Sequence, residues 1–265
     1  MSRSITLGHY LPGSSLLHRL DARFKLLSLL IFIMALFWLK TGGGMAAALL
    51  LLILLLAVAR VPFRYLLRGL RPVMYIVLFT LLIYFFFTKG GVVLLRLGPV
   101  TVEQAGVSQG LFVVARLIGL VMATLLVTLT TTPLSLTHGL EFFLKPFQLV
   151  RLPVSEIAMI MTIALRFVPT LMEESQRLMR AQISRGADFE SGNLWRKARN
   201  LIPLIVPLFV SAFRRADELA LAMEARGYRL GARRTRLHES KASFRDWVVL
   251  LFSIAILVVI IVARI

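Results

Sequence analysis

Long apolar runs that alternate with arginine-rich linkers constrain this chain more than any other feature of its sequence. The runs cover residues 24–39, 45–59, 73–88, 108–131 and 247–262. Hydrophobic residues make up 58% of the 265 positions, against roughly 45–50% in soluble domains, so water is not the main solvent of this fold. The sequence therefore predicts an all-α, polytopic membrane protein with about five spans.

The charges of the linkers predict the side of the membrane on which each linker lies. The first linker, 41–44, is uncharged. The second linker carries four arginines: Arg60, Arg64, Arg68 and Arg71. Because Lys and Arg concentrate in cytoplasmic loops, we place this linker and the N-terminus in the cytoplasm of a bacterial or archaeal cell, and the loop 89–107 outside. The same distribution accounts for the net charge of +18 without nucleic acid as a partner.

The segment 132–245 contains two further apolar stretches, 157–171 and 201–213, that we do not predict to cross the membrane. Six basic residues lie between positions 177 and 199 and seven between 214 and 236, and any crossing would strand one of these groups outside. The sequence thus predicts an N-terminal transmembrane region at 1–131, a cytoplasmic domain of long amphipathic helices at 132–245 that lies against the bilayer, and a C-terminal transmembrane helix at 246–265.

Residues that would support common catalytic or binding chemistry are absent or scattered. The chain has no cysteine and no Gly-Lys dipeptide, so it has no thiolate metal site and no P-loop for ATP. Its four histidines lie far apart: His9, His18, His138 and His238. No carboxylate occurs between Asp21 and Glu103, although carriers driven by protons or cations usually need one at membrane depth. The sequence predicts no enzyme activity, no metal and no cofactor.

A short motif occurs twice, 41 residues apart, and each copy ends a helical pattern. The two copies are Ala181-Gln182-Ile183-Ser184-Arg185-Gly186-Ala187 and Ala222-Met223-Glu224-Ala225-Arg226-Gly227-Tyr228. A single Arg-Gly end is ordinary helix capping, since glycine takes the left-handed turn and the dipole favours a cation. Two copies in one cytoplasmic domain instead indicate a matched pair of docking tips. Arginine can bond a partner's carboxylate bidentately, and the small neighbours Ser184 and Ala225 allow close approach.

These motifs, together with several others, resemble a known family over nearly the whole chain. The further segments are Leu7 to Gly13, His18 to Leu26, Thr130 to Leu136, Ile163 to Leu171, Ala181 to Phe189 and Ala220 to Tyr228. They are similar to the transmembrane T component (EcfT) of energy-coupling-factor vitamin transporters, a branch of the ABC importers related to the CbiQ-type cobalt permease. Ser184 replaces the alanine of many relatives, and Ala22 stands where proline often precedes the Arg-x-Lys-Leu run.

The resemblance implies a coupling role for this chain. Two cytoplasmic ABC-type ATPases would bind the tips Ser184-Arg185-Gly186 and Ala225-Arg226-Gly227, and the helices would pass ATP-driven motion to a small substrate-binding membrane subunit (S component). On a coupling helix, Met159, Met161, Met172 and Met179 would suit a moving interface, because methionine repacks easily. Two alternatives stay open: a stand-alone secondary transporter, and a membrane insertase with a positively charged groove around Arg116, a charge that lies well inside a predicted span.

Overall fold

The structure is a computed structural model that describes residues 10–97, 100–150, 152–189, 191, 193–229, 231 and 242–263. Some residues singled out in the sequence lie outside these ranges: Leu7, Gly8, His9, Arg233, Arg234, Arg236 and His238.

Helices account for nearly all of the described regular structure. In chain order they are α1 (Ala22–Trp38), α2 (Gly42–Val58), α3 (Phe63–Phe87), α4 (Gln104–Thr130), α5 (Pro133–Leu144), a 3-10 helix (Lys145–Val150), α6 (Val154–Ser184), α7 (Leu194–Asn200), α8 (Ile202–Ala225) and α9 (Phe244–Ala263). The predicted all-α class is confirmed. Between α3 and α4 the sequence analysis placed only a loop, but strands β1 (Val93–Leu97) and β2 (Val100–Glu103) pair there as an antiparallel hairpin.

Four of these helices are long and apolar enough to cross a membrane: α3, α4, α6 and residues 244–262 of α9. Three of them coincide with predicted spans. The α1 and α2 helices have 17 residues each, about 25 Å of helix, which is short for a hydrocarbon core of about 30 Å. The α6 helix meets the length and apolarity requirement although its first half was expected to stay on the cytoplasmic side; that expectation stays a prediction.

The chain divides into two compact units, one formed by residues 1–142 and 239–265 and the other by residues 143–238. The sequence prediction grouped α5 with the segment 132–245. In the structure α5 packs on the beginning of α1, because Gly139 leaves room for the side chain of Leu26 and because the Arg23 guanidinium lies 5.3 Å from the Phe142 ring centre.

Two glycines of α4 allow α3 and α4 to approach closely. A Cβ atom added at Gly106 would lie 2.6 Å from the carbonyl oxygen of Tyr84, and one at Gly110 would lie 2.9 Å from the Tyr84 Cβ. Small residues serve the same purpose in many membrane helix pairs, where close van der Waals packing replaces the hydrophobic effect. The Gly106-x-x-x-Gly110 spacing thus identifies the face of α4 that packs on α3.

The first unit has an apolar core built around α4. One cluster joins α2, α3 and α4 and includes the buried residues Leu52, Leu66 and Leu126. A second joins α1, α2 and α9 around Leu36 and Ile260. Neighbouring helices cover only part of the apolar surface of each helix in this unit. Many large apolar side chains therefore remain exposed, as a bilayer permits.

Arg116 of α4 caps the C-terminal end of α1. Its Nε donates to the carbonyl of Leu36 at 3.1 Å, and one terminal nitrogen donates to the carbonyl of Leu39 at 3.0 Å. The guanidinium also lies 5.0 Å and 5.5 Å from the ring centres of Phe112 and Phe37. The last carbonyls of a helix have no partner within the helix, and leaving them bare in a membrane costs several kcal/mol.

Lys25 performs the same task at the end of α4. Its side chain is 6% exposed, and its ammonium donates to the Thr130 carbonyl at 3.0 Å and to the Thr131 hydroxyl at 3.3 Å. Beside it, the buried carboxylate of Asp246 accepts from the backbone N–H groups of Asp21 and Ser243. These polar contacts join the beginnings of α1 and α9 to the end of α4.

The segment before α1 is ordered by His18. Its Nε2 bonds the Leu11 carbonyl at 3.0 Å, so Nε2 carries the proton and Nδ1 accepts from the Ser15 hydroxyl at 2.6 Å. The backbone N–H of Leu11 donates in turn to the Leu129 carbonyl of α4 at 3.0 Å. His18 is therefore a structural residue that holds this segment against the first unit.

We expect Gly106→Ala to lower the thermal stability of the detergent-purified protein by about 1–3 kcal/mol, because the added methyl group meets a backbone carbonyl that cannot move independently. Gly43→Ala in α2 is the matched control, since a Cβ there has no atom within 4 Å and alanine favours helix. Tryptophan fluorescence melting compares the two. Equal melting temperatures for Gly106→Ala and wild type would contradict this close approach.

We expect Arg116→Lys to destabilise the first unit nearly as much as Arg116→Gln does. Lysine keeps the charge, but its single ammonium cannot reach both α1 carbonyls in the way the planar guanidinium does. The melting temperatures of the two variants make the comparison. If Lys preserved wild-type stability, the residue would be acting as a charge that reaches the membrane surface, and the capping role would be wrong.

Candidate docking interface

The first of the two repeated helix ends closes α6. Arg185 is the C-cap residue, and Gly186 follows in the left-handed region with φ +86°. The Gly186 N–H donates to the Ile183 carbonyl and the Ala187 N–H to the Gln182 carbonyl, both at 2.9 Å. This pair of bonds is the Schellman closure, which satisfies the last carbonyls of a helix with its own backbone.

The second end closes α8 with the same set of bonds. Arg226 is the C-cap residue, and Gly227 has φ +74°. The Gly227 N–H donates to the Glu224 carbonyl at 2.8 Å, and the Tyr228 N–H donates to the Met223 carbonyl at 3.0 Å. The repeat seen in the sequence is therefore a repeat of backbone conformation as well.

Both helix ends present their central residues to the surroundings. Six residues are exposed: Ser184, Arg185, Gly186, Ala225, Arg226 and Gly227. Neither arginine side chain bonds another described residue, and a Cβ added at either glycine would meet no atom within 4 Å. The glycines are thus required by their positive φ and not by local crowding, and the arginines remain available to a partner.

The Ser184 hydroxyl does not distinguish the two tips. It donates to the Arg180 carbonyl one turn earlier, at 3.1 Å, so it is satisfied within its own helix. Ala225 occupies the equivalent position without a hydroxyl. What the two positions share is small size, which keeps the backbone accessible.

Glu174 of α6 binds two residues of α8. One carboxylate oxygen accepts from the Ser211 hydroxyl at 2.6 Å, and the other accepts from the Arg215 guanidinium at 2.8 Å. The side chains of Arg215 and Glu174 are 37% and 25% exposed, so the ion pair contributes about 1 kcal/mol or less. We call this group of three residues the α6–α8 bridge, because it fixes where along their lengths the two helices meet.

The α6–α8 bridge follows the same repeat as the tips. Glu174 and Arg215 are 41 residues apart, as are Arg185 and Arg226. Eleven residues therefore separate each bridge residue from the arginine of its own tip, about 16 Å of helix. The two helices extend as arms of equal length from one tie point. Sequence reasoning missed the bridge, although the 41-residue offset could have identified it.

The first half of α8 carries an exposed apolar stripe. Its members recur at the three- and four-residue spacing that places side chains on one helix face: Ile202, Ile205, Val206, Phe209, Val210 and Phe213. The Phe209 and Phe213 rings stack with centres 6.3 Å apart. On α6, Met161, Met172 and Met179 also share a face by helical spacing, whereas Met159 falls on the opposite side. Both arms thus combine polar ends with apolar surface.

The other positive residue considered as a site, Arg116, is already engaged. Its guanidinium caps α1 and packs on two phenylalanine rings, as described above. A positively charged groove around it, on which the insertase alternative depended, therefore loses its central group.

Four helices among the described residues are long and apolar enough to cross a membrane, which is typical of a multi-pass membrane protein. The family model CbiQ, described as "Cobalt transport protein", matches residues 13–238. The chain belongs to this family of transmembrane transport proteins, in the branch of the energy-coupling factor transporter protein EcfT.

Curated relatives agree with that assignment over nearly their whole length. The chain is 46% identical to the energy-coupling factor transporter transmembrane protein EcfT of Brevibacillus brevis, with 98% of both chains covered. It is 46% identical to EcfT of Clostridium kluyveri, which matches 100% of this chain over 98% of its own length. With EcfT of Bacillus subtilis the identity is 44%, and 89% of each chain is covered.

We expect the α6–α8 bridge to fix the distance between the two tips. Since the chain has no cysteine, spin labels can be attached at Ser184→Cys and Ala225→Cys alone, and the distance read by double electron–electron resonance. Glu174→Arg places two cations together and should broaden or shift the distance distribution, whereas the swap Glu174→Arg with Arg215→Glu should restore it.

The matched control for this experiment is Glu173→Arg, which makes the same charge change on an exposed neighbour of Glu174. An unchanged distribution in Glu174→Arg, or a swap no narrower than the single variant, would show that apolar packing alone sets the register of the arms.

Proposed function

We propose that this chain is the coupling subunit of an energy-coupling factor importer for a vitamin or another micronutrient. It binds two cytoplasmic ABC-type ATPases through its two tips and transmits their ATP-driven motion to a small substrate-binding membrane subunit. The observation that carries the proposal is the pair of helix ends with the same Schellman closure and an exposed arginine at each C-cap. Ordinary capping explains each helix end alone, but it gives no reason for two helix ends of the same kind.

Docking would use the guanidinium groups of Arg185 and Arg226 as anchors. Each can donate two parallel hydrogen bonds to a carboxylate in a groove of an ATPase, and such charge-assisted pairs are about twice as strong as neutral hydrogen bonds. The glycine and the small residue beside each arginine let the groove reach the helix backbone. Because the last carbonyls are already satisfied by the helix itself, docking does not leave them unpaired when water is excluded.

The neighbours of the two tips differ in charge. Two residues before Arg185 stands Ile183, whereas Glu224 holds the equivalent place before Arg226; five residues before, Arg180 corresponds to Leu221. Three residues after the arginine, Asp188 of the first tip corresponds to Arg229 of the second, so the charges that flank the two arginines stand at different positions. This difference supports docking into two non-identical grooves in a fixed order.

Transmission of motion would depend on the equal arms. When ATP draws two bound ATPases together, both tips are carried with them, and the α6–α8 bridge keeps the arms in one register while they turn. The apolar stripe of α8 and the methionine face of α6 offer the surface on which the membrane subunit can slide. Their side chains are apolar and, in the case of methionine, easily repacked.

This function needs the arms on the cytoplasmic side of the inner membrane, where ATP is available. The basic residues of α6 to α8 support that placement, and so does the arginine linker at the beginning of α3. The chain itself has no catalytic role in this scheme, because ATP hydrolysis belongs to the ATPases. The substrate pocket belongs to the membrane subunit.

We expect the double variant Arg185→Glu, Arg226→Glu to lose both ATPases during affinity purification in mild detergent while it retains the small membrane subunit. Reversed charges would face the carboxylates that wild-type arginines bind. The control is Arg177→Glu, Arg214→Glu, which makes the same change of net charge at exposed arginines two or more helical turns before the tips. If the double tip variant retained as much ATPase as this control, the helix ends would be ordinary caps and the proposed mechanism would be wrong.

A further inference from the structure

A continuous apolar groove runs along α1 between α2 and α9. It consists of two adjoining cavities of about 410 and 440 Å³. Both are lined by Phe32, Leu51, Phe252 and Ile256, so they form one groove, which we call the α2–α9 groove. All of its lining residues belong to the first unit. The groove reaches from Lys25 near one end of α1 to Leu39 at the other.

The lining of the α2–α9 groove matches the two parts of a lipid. Apolar side chains line it along α1, and the cations Lys25 and Arg245 lie at one end. A flexible hydrocarbon chain is an occupant that a long apolar groove within a bilayer accommodates. The cationic end favours a lipid with a charged head group over the apolar face of a partner helix.

One end of the groove is polar, and the polar groups there have unused hydrogen-bonding capacity. The Ser28 hydroxyl oxygen is buried and bonds no described residue. Lys25 uses two of its three N–H groups on Thr130 and Thr131. The exposed side chain of Arg245 lines the same end. The other hydroxyls of the lining, on Thr130 and Ser253, bond carbonyls of their own helices.

The charges at this end sum to a positive site. Two cations line it, Lys25 and Arg245, and no carboxylate of the described residues does, although Asp21 and Asp246 act electrostatically on Lys25. Asp246 is 2% exposed and accepts backbone N–H groups with both oxygens, and one oxygen of Asp21 accepts from the Arg23 N–H. The excess of two positive charges favours an anionic head group over a zwitterionic one.

We propose that the α2–α9 groove binds one anionic phospholipid. Its phosphate lies at Arg245 and Lys25, and an ester oxygen accepts a hydrogen bond from the Ser28 hydroxyl. One acyl chain follows Phe32 and Leu51 along the groove. Ser28 is one helical turn further into α1 than Lys25, about 4.5 Å, which matches the order of phosphate, ester and chain in such a lipid. The lipid would fill the gap between α2 and α9, and this role is independent of the coupling function proposed above.

The test is native mass spectrometry of the full-length chain, delipidated in detergent and titrated with phosphatidylglycerol or with phosphatidylcholine of the same acyl chains. We expect one phosphatidylglycerol to bind at least fivefold more tightly than phosphatidylcholine, and inorganic phosphate to compete with neither. Arg245→Gln should remove the preference between the two lipids, and Ser28→Ala should weaken both.

Groove-filling variants distinguish this site from lipid on the outer surface. Leu51→Trp on α2 and Val248→Trp on α9 fill the groove from opposite walls and should abolish binding of both lipids. Leu54→Trp and Val262→Trp, exposed residues that do not line it, are the matched controls. Having two filling variants keeps the test decisive if one of them fails to fold.

Three results would overturn the proposal. Equal affinity of the wild type for both lipids would remove the anionic head-group site. Unchanged binding in a folded groove-filling variant would place the lipid elsewhere. If the groove-filling variants lost the small membrane subunit during affinity purification but bound lipid as the wild type does, the groove would be a partner site.

Discussion

The carbonyl groups at the ends of helices are the constraint on which this structure depends. In a bilayer no water reaches these carbonyls, and each unpaired one costs several kcal/mol. The chain meets the requirement in two ways. At two helix ends of the first unit, a cation from another helix supplies the donor: Arg116 at the end of α1 and Lys25 at the end of α4. Where α6 and α8 end in exposed positions, glycine closes the end with its own backbone.

This difference decides which arginines can act on a partner. Arg116 is held by two carbonyls and two rings, so moving it would uncover the end of α1. Arg185 and Arg226 sit at helix ends that are already satisfied, so their guanidinium groups can leave water for a partner without exposing any carbonyl. Residue type alone does not distinguish these cases, since all three are arginines next to apolar sequence. The glycine that directly follows Arg185 and Arg226, but not Arg116, distinguishes them.

Local signals in the sequence predicted what local physics determines. The apolar runs predicted the ends of α3, α4 and α9 to within a few residues, except for the beginning of α3. The Arg-Gly pairs predicted the C-terminal ends of α6 and α8. Both signals are local, because periodicity and capping depend on neighbours in the chain. Contacts between distant segments could not be predicted in this way. The bond from Lys25 to Thr130 joins residues 105 positions apart, and that from Asp21 to Asp246 joins residues 225 apart. The β1–β2 hairpin was missed for another reason: both of its strands lie in the segment 89–107, which was predicted only as a loop.

The 41-residue repeat connects the parts that sequence reasoning found with the part that it missed. Tips alone could be matched by chance, but the partners Glu174 and Arg215 stand at the same offset, eleven residues before their tips. A rotation about a tie point moves the ends of equal arms by equal distances, so displacement of one tip is matched at the other. The ion pair of the bridge contributes about 1 kcal/mol or less to stability, so its main effect is to set the register of the two helices. In the coupling role that we propose, its position, more than its strength, would make the two separate helix ends move as one lever.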